Sequence, residues 1–178
     1  MHNWFNLTKF LPYLKRIAHA RDSQKLKYKS TKNWSVESST HFIGICSEFG
    51  FYLETGIRPD FSLKVEGDQG WDFVIDNKTF DVKGSTFWGS PDLKEFSNRE
   101  KYADIYVLAA VRDYKEVAIA GWCTREQLKT NPGRSYGHGM MHSVPYWRME
   151  EWGQTGLPPF VQRRSESKLS QLMAELSV

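Results

Sequence analysis

Long apolar runs are missing from this sequence of 178 residues. No segment approaches the roughly 18 consecutive apolar residues that a membrane-spanning helix needs. Near the N-terminus, basic residues interrupt the apolar ones in WFNLTKFLPYLKRIAHA, whereas a secretory signal needs an uninterrupted core of roughly 7–15 apolar residues. Both absences predict a protein that acts inside the cell and has no segment in a membrane.

Cysteine is also scarce, and Cys46 and Cys123 lie far apart, each in an apolar context. Buried free thiols are the favoured interpretation, because they fit a reducing, intracellular compartment. A disulfide between the two is the alternative, although no feature of the sequence supports it. Internal repeats, low-complexity segments, Walker loops, nucleophile elbows and dinucleotide fingerprints are absent as well, so the protein classes that these motifs define are not indicated.

What the sequence does have is a large share of apolar and aromatic residues, 40% and 15%, enough to bury the core of one domain. Its net charge of +3 conceals an uneven distribution, because residues 1–36 carry eight Lys or Arg against one acid. The remainder carries sixteen basic and twenty acidic residues. A basic segment beside an acidic body suits a polyanionic partner. A solvated helix with a charged linker explains the same charges, so this segment alone does not identify nucleic acid.

Hydrophobic periodicity predicts an α/β protein. The expected elements are a helix over 4–20 with Pro12 as its kink or boundary, a helix over 40–56, strands over 61–66, 71–76 and 79–83, a helix over 90–102 that Ser90 caps, strands over 104–111 and 116–123, and a short helix that Thr124 caps. Residues 131–161 show little periodicity, and 162–178 predict an amphipathic helix typical of docked core or an oligomer contact. Three meandering strands, a helical crossover and a buried strand predict a mixed sheet flanked by helices.

The stretch GDQGWDFVIDNKTFDVKG predicts a β-hairpin that gathers charged side chains. With Asn77 and Lys78 as its two-residue turn, alternation places the apolar residues of both strands on one face. Asp72 then lies opposite Lys83, with Cβ atoms roughly 5 Å apart, and diagonal to Asp81 at roughly 7–8 Å. The hairpin therefore predicts a convergent group of two carboxylates and one ammonium.

Two carboxylates at this separation suit one Mg²⁺ ion, which commonly binds through one or two carboxylates, waters and a substrate phosphate. A lysine nearby can hold a water or phosphate oxygen and offset developing negative charge, so these parts suit metal-assisted phosphodiester hydrolysis. An acid two residues before a lysine occurs five times in the sequence. The triplet alone is therefore weak evidence for a metal site, and a charged face exposed to solvent is the alternative. Its place on a strand beside a second Asp, after a helix that carries Glu48, favours a metal site at 81–83.

The arrangement resembles the PD-(D/E)XK, or restriction-endonuclease-like, nuclease superfamily, and the wording is similar to its small phage and bacterial members. The resemblance rests on Glu48 in CSEFGFYLETGI, Asp72 in GWDFVID, and Asp81 and Lys83 in FDVKG. It covers roughly residues 40–125, and its one departure is Asp81, where Glu is commoner in the superfamily. It implies an α/β fold with a restriction-endonuclease-like mixed β-sheet core of the order α-β-β-β-α-β, flanked by helices.

The resemblance also implies Mg²⁺, or Mn²⁺, as a cofactor and gives each matching residue a role. Asp72 and Asp81 would ligate the metal together with the backbone carbonyl of Val82. Lys83 would orient or activate the attacking water, and Glu48 would bind a second metal or a metal-bound water. The domain division that follows has three parts: a basic N-terminal helix and connector (1–36), a nuclease-like domain (37–161) and a C-terminal amphipathic helix (162–178).

Further residues are expected to contact nucleic acid. Ser85 and Thr86 follow the strand and suit phosphate contact, and Trp88 suits a base or sugar, although the other Trp residues sit in apolar patterns typical of core. The basic candidates are Lys25, Lys27, Lys29, Lys32 and Arg134. His138 and His142 have the spacing of a helical zinc site, but glycines beside them disfavour a helix. A loop that contacts nucleic acid, or a plain packing loop, is favoured there.

The sequence thus predicts a Mg²⁺-dependent nuclease that hydrolyses DNA in the cytoplasm of a bacterium or of a phage-infected host cell. A catalytically inactive nucleic-acid-binding or assembly protein with the same fold is one alternative, and an RNA-directed nuclease is another. The basic N-terminal segment would add phosphate contacts, so binding is expected to weaken with salt. The amphipathic tail makes a homodimer reasonable.

Overall fold

A computed structural model of the chain describes residues 3–26, 40–62, 70–87, 89–98, 102–135 and 139–152. The elements in chain order are β1 (Phe5–Asn6), α1 (Leu11–Leu26), α2 (Thr40–Thr55), β2 (Phe73–Ile75), β3 (Lys78–Ser85), β4 (Asp92–Phe96), β5 (Ile105–Arg112), β6 (Glu116–Thr124), α3 (Arg125–Lys129), β7 (Arg134–Ser135) and β8 (Met140–Pro145). Short 3₁₀ turns at Thr8–Phe10 and Tyr146–Arg148 precede α1 and follow β8. The predicted connector and tail helix, and most of the predicted strand over 61–66, lie outside the described residues. No helix in the described part of the chain combines the length and apolarity needed to cross a membrane.

The larger sheet has five strands in the order β1-β6-β5-β3-β2. Strands β3 and β5 run parallel, and the other neighbours are antiparallel, so the predicted mixed sheet is confirmed. Strand β5 lies in the middle, and its side chains alternate between two cores. Val107 and Ala109 belong to one core, and Tyr106 and Leu108 to the other. The continuous apolar run of the sequence is explained because this strand is covered on both faces.

Helices α1 and α2 pack against each other and supply the core on one face of the larger sheet. The predicted N-terminal helix begins later than expected, at Leu11, so Pro12 marks its start rather than a kink, as a proline in the first turn can. The N-terminal side chains that are buried in this core are Leu7, Phe10, Leu14 and Ala18. The domain boundaries stay a prediction. The structure shows that side chains of the first helix form part of the main core.

The smaller sheet corrects the predicted helix over 90–102, because β4 occupies its centre. The order of this sheet is β4-β8-β7, with Leu93 paired to Val144. Both side chains are buried in the second core, while Lys94 and Phe96 on β4 are exposed. Ser90 and Pro91 resemble a helix start, but burial of an alternating face against β8 outweighs that weak local preference. Strands β7 and β8 also lie in the region where the sequence shows little periodicity.

Two other local predictions are confirmed. Thr124 caps α3 through a capping box, in which its side chain accepts from the Gln127 backbone N–H at 3.2 Å and the Gln127 side chain accepts from Thr124. Cys46 and Cys123 are buried free thiols. Burial raises the pKa of each thiol to about 12, so both stay protonated and poorly nucleophilic at neutral pH.

Helix α2 lies close to β3 at Gly84. A Cβ atom at this glycine would lie 2.4 Å from Ser47 Oγ and 2.7 Å from Ile43 Cγ2. Real Cβ atoms essentially never show such distances, so the helix and the strand would have to move apart. The absence of a side chain at Gly84 therefore sets the distance between the helix and the strand that carry the charged residues described below.

We expect Gly84→Ala to lower the free energy of unfolding by about 1–3 kcal/mol, as overpacking of a close contact does. Urea denaturation of the full chain measures this. Gly44→Ala is the matched control, because it lies in α2 on the same cleft and a Cβ there would meet nothing within 4 Å. Alanine at Gly44 should leave stability unchanged or raise it by up to about 1 kcal/mol. Equal effects of the two substitutions would contradict the close-approach explanation.

Candidate active site

One cleft, with a volume of about 310 Å³, brings the predicted site residues together. Glu48, Asp72, Asp81 and Lys83 all line it, and so does Val82. Its walls come from α1, α2, the bend before β2, and β3. We name this the acidic cleft, after the three carboxylates on its walls.

Alternation along β3 explains why Asp81 and Lys83 reach the cleft together. Residues two apart on a strand share a face, and the neighbours Phe80 and Val82 turn the other way, into the main core. Asp81 is buried, and Lys83 is partly buried. Glu48 reaches the same cleft from α2 and is also buried. Three charged groups from two elements therefore lie at low exposure in one place.

The turn of the hairpin lies one residue earlier than predicted. Asp76 and Asn77 form it, with φ angles of 47° and 62°, instead of Asn77 and Lys78. A two-residue turn of this kind needs positive φ at both central positions. Asp and Asn tolerate that region better than Lys does, because their short polar side chains hydrogen-bond locally. The turn therefore takes the pair of residues that suits it.

The corrected turn changes which side chain lies opposite Asp72. Phe73 pairs with Phe80, and the Asp72 backbone N–H donates to the Phe80 carbonyl oxygen, so Asp72 lies beside Phe80 instead of opposite Lys83. The pairing moves by two residues, an even number, and the two faces of the hairpin keep the residues that the alternation predicts. The predicted opposition of Asp72 and Lys83 is wrong, and the predicted convergence of the two carboxylates is confirmed.

Asp72 is fixed by hydrogen bonds to the neighbouring strand. Its backbone N–H donates to the carbonyl oxygen of Phe80 at 2.7 Å, and the backbone N–H of Val82 donates to Asp72 Oδ2 at 2.7 Å. Burial raises the pKa of Asp72 well above its ordinary value, and the negative charges of Glu48 and Asp81 raise it further. The bond from Val82 lowers this pKa and offsets only part of the rise. The ionised form of Asp72 is therefore disfavoured by burial and by repulsion from Glu48 and Asp81.

Lys83 is held between two carboxylates. Its Nζ lies 2.8 Å from Asp81 Oδ2 and 3.0 Å from Glu95 Oε2. Glu95 is buried on β4, and its Oε1 accepts from the backbone N–H of Phe96 at 2.8 Å. Burial alone would lower the pKa of Lys83, but Asp81 and Glu95 outweigh it, and the pKa is raised. The ammonium therefore stays protonated at neutral pH.

Glu95 is a site residue that the sequence prediction missed. The stretch was predicted as a helix, in which Glu95 would have had no relation to the hairpin. No local signal in the sequence could have found it, because DLKEF does not alternate apolar with polar residues: Leu93 and Glu95 share the inward face, and Phe96 is exposed. An inward carboxylate on a strand needs a partner, and Lys83 is that partner.

Helix α1 and the first turn of α2 contribute a second set of missed residues. Arg21 Nη1 lies 3.1 Å from Glu48 Oε1, and His41 Nδ1 lies 2.8 Å from Asp22 Oδ1. Arg21 and His41 both line the acidic cleft. His41 precedes Glu48 by seven residues, about two helical turns, and this spacing on one helix face was a usable signal. Nothing local distinguishes Arg21 from the other basic residues of the N-terminal segment.

The donor set around the cleft fits a hard divalent cation by its charge and chemistry. Among the described residues, four carboxylates and two cationic side chains meet here. The carboxylates belong to Glu48, Asp72, Asp81 and Glu95, and the cations to Arg21 and Lys83. No three described His, Cys, Asp or Glu side chains are grouped as a ready metal site. Mg²⁺ needs only one or two carboxylates besides water and phosphate, which Asp72 and Asp81 can provide.

We expect the contribution of Asp72 to stability in EDTA, measured as the difference between wild type and Asp72→Asn, to fall as pH rises above 3.8, the ordinary pKa of Asp72. The folded-state pKa is raised, so the protonated carboxyl is favoured on folding, and this contribution is present below 3.8 and lost as pH rises through the folded pKa. Asp72→Asn cannot ionise and can still accept from Val82, so it should unfold at higher temperature than wild type near pH 7. Thermal unfolding between pH 4 and 8 measures both effects.

Asp76→Asn, on the exposed turn of the same hairpin, is the control for this experiment and should follow the wild-type pH profile. Mg²⁺ added to wild type should restore stability, because a ligand that binds only the folded state stabilises it. It should restore less in Asp72→Asn. A pH profile of Asp72→Asn identical to that of wild type would contradict the carboxylate repulsion described above.

The remaining predicted contacts divide by position. Ser85 and Thr86 line a second cleft that adjoins the acidic cleft. Arg134 is exposed on β7 and is not among the residues that line either cleft. The predictions that lie outside the described residues are the side chain of Lys25, together with Lys27, Lys29, Lys32 and Trp88. Two of the described candidates are thus adjacent to the acidic cleft, and one is not.

His142 does not lie on a helix, in agreement with the glycines that disfavour a helical zinc pair. This residue lies on β8, and its Nδ1 is 2.7 Å from the carbonyl oxygen of Asn131. A packing role agrees with this contact. His138 lies outside the described residues.

The chain was compared with known protein families, curated proteins and solved structures, and no match was found in any of the three.

Proposed function

We propose that the chain is a metal-dependent nuclease that hydrolyses phosphodiester bonds of DNA. The observation that carries this proposal is the convergence of Glu48, Asp72, Asp81 and Lys83 on one cleft. Three carboxylates and an ammonium at low exposure are costly to bury together, so a functional reason for the arrangement is favoured. The three carboxylates that line the cleft support a cation as part of that function.

In this proposal, Asp72 and Asp81 hold Mg²⁺ or Mn²⁺ together with the backbone carbonyl of Val82, and Glu48 holds a second ion or a coordinated water. The bound metal would neutralise charge on the scissile phosphate and lower the pKa of a bound water. Asp72 is oriented for its part by the N–H of Val82, which occupies Oδ2 at 2.7 Å. The other carboxylate oxygen, Oδ1, would then serve as the metal ligand.

Lys83 acts as a hydrogen-bond donor. Its raised pKa keeps the ammonium protonated at neutral pH, so it cannot take a proton from the attacking water. It can hold that water, or a non-bridging phosphate oxygen, while negative charge develops during the attack on phosphorus. Asp81 and Glu95 fix its position from two sides, and the orienting role is therefore favoured over the activating one.

A restriction-endonuclease-like topology is part of the same proposal. A helix with an acid before the hairpin, Asp81 and Lys83 on the second strand, and a crossover to the parallel strand β5 support it. The crossover contains β4 where that topology implies a helix, and this departure is specific to the present chain. Its consequence is the additional acid, Glu95, at the lysine.

Cleavage of labelled nucleic acid by the full chain tests the proposal. Single-stranded and duplex DNA and RNA of one sequence are incubated with Mg²⁺, Mn²⁺ or EDTA, and products are resolved on a denaturing gel. Cleavage of DNA with either metal and none in EDTA is expected. Cleavage of RNA alone would identify RNA, instead of DNA, as the substrate. Tight binding without cleavage in any metal would favour a catalytically inactive binding protein.

A further inference from the structure

A second cleft continues from the acidic cleft along β3. Its volume is about 610 Å³, and it shares Ile43, Lys83 and Gly84 with the acidic cleft. A polymer whose phosphate lies at Lys83 would therefore extend into this second cleft. We name it the aromatic groove, for the two rings described next.

Phe87 and Trp147 are the two most exposed large apolar side chains among the described residues, at 70% and 64%. Both line the aromatic groove. Phe87 follows β3 of the larger sheet, and Trp147 lies in the 3₁₀ turn after β8 of the smaller sheet, so the two sheets present one ring each. Exposed rings on both sides of a cleft favour a flat, apolar ligand surface that covers them.

The polar residues of the aromatic groove suit a sugar–phosphate chain. Hydroxyl groups come from Ser85, Thr86 and Ser90, and a second lysine, Lys94, lies on the same wall. Of the charged residues that line the groove, two are lysines and one is Asp92. Rings for bases, with hydroxyls and ammonium groups for phosphates, are the combination by which proteins bind single-stranded nucleic acid.

We propose that the aromatic groove binds unpaired nucleobases of a single strand next to the phosphate at Lys83, an inference that rests on the proposed nuclease function. Phe87 and Trp147 stack on the bases. Within a duplex, the faces of each base are covered by the neighbouring base pairs, so only an unpaired base can offer its face to a ring. The substrate is therefore a single strand or a duplex that carries an unpaired segment.

Binding in EDTA tests the groove separately from cleavage. Full-length protein is titrated into a fluorescein-labelled DNA single strand, and into the duplex of the same sequence, and anisotropy is measured. We expect the single strand to bind more tightly than the duplex. Phe87→Ala and Trp147→Ala should each weaken single-strand binding by about 5- to 150-fold, the range found for loss of one stacking ring.

Two further variants separate stacking from general damage. Phe96→Ala removes an exposed ring outside both clefts and should change binding less than twofold. Trp147→Phe keeps a stacking ring and should bind within a few-fold of wild type, while the quenching of tryptophan fluorescence by the bound strand decreases. Melting temperatures near that of wild type show that each variant is folded.

Abasic nucleotides provide the decisive comparison, because they remove the base and keep the phosphate. A strand with abasic positions across the groove should bind wild type more weakly, and Trp147→Ala should then cause little additional loss, since the two changes remove one contact. Equal binding of intact and abasic strands, or of single strand and duplex, would overturn the proposal. If binding behaves as expected but no metal supports cleavage, the nuclease function fails and the groove remains.

Discussion

Alanine at Lys83 is expected to lower the rate of DNA cleavage by about 100- to 1,000-fold, the usual cost of removing one preorganised donor to a developing negative charge. The ammonium is held by carboxylates on two strands, at 2.8 and 3.0 Å, so its position before the reaction is already that of the donor. Single-turnover cleavage with saturating protein measures the chemical step without product release. Asp81→Asn should cost at least about 100-fold, because even groups that only orient a metal ligand commonly cost ~10–100-fold.

The same hairpin supplies the matched control for both substitutions. Asp76 in the turn and Lys78 at the start of β3 form a second acid-x-Lys triplet, and both residues are exposed. Asp76→Asn and Lys78→Ala make similar chemical changes outside the acidic cleft. Each should leave the rate of DNA cleavage within a factor of about two of wild type. Cleavage that survives Asp81→Asn and Lys83→Ala would remove the acidic cleft from the reaction.

The largest expected loss of stability follows Phe51→Ala. Phe51 is fully buried on α2, with its ring centroid 4.7 Å from that of Phe73 and 6.1 Å from that of Phe80. Truncating a buried Phe costs about 3–5 kcal/mol, a large part of the roughly 5–15 kcal/mol that holds a domain folded. These rings join α2 to both strands of the hairpin, so we expect the distance between Glu48 and Asp81 to become less well defined.

Urea denaturation monitored by circular dichroism measures the effect of Phe51→Ala. Val74→Ala lies on the same hairpin but is 61% exposed, and it should cost less than about 1 kcal/mol. If Phe51→Ala cost no more than this control, the aromatic contact between helix and hairpin would not be a main source of stability.

Local chemistry explains which parts of the fold were predictable. The apolar run of β5 fits only a strand that is covered on both faces, and the cap of α3 needs only Thr124 and Gln127. The faces of the hairpin follow from alternation and survive a turn misplaced by one residue. The same periodicity, combined with the resemblance, predicted a group formed by Glu48, Asp72, Asp81 and Lys83. The structure places all four along one cleft.

The parts that the sequence did not predict depend on distant partners. Strand β4 is a strand because Leu93 pairs with Val144 some fifty positions later, and no local pattern records that pairing. Glu95 at Lys83 and Arg21 at Glu48 follow from such packing. The position of the turn is different, because the tolerance of Asp and Asn for positive φ is a local rule that favours Asp76–Asn77.

The ion pair between Lys83 and Glu95 joins the larger sheet to the smaller one. Its two members lie on β3 and β4, so we expect local opening of the smaller sheet to separate Lys83 from Glu95. A molecule whose smaller sheet has opened keeps Asp81 beside the ammonium but loses Glu95 and the ring of Trp147 at once. Hydrogen exchange of the β8 amides would then report how often the smaller sheet opens, and so how long Glu95 stays beside Lys83 in the acidic cleft.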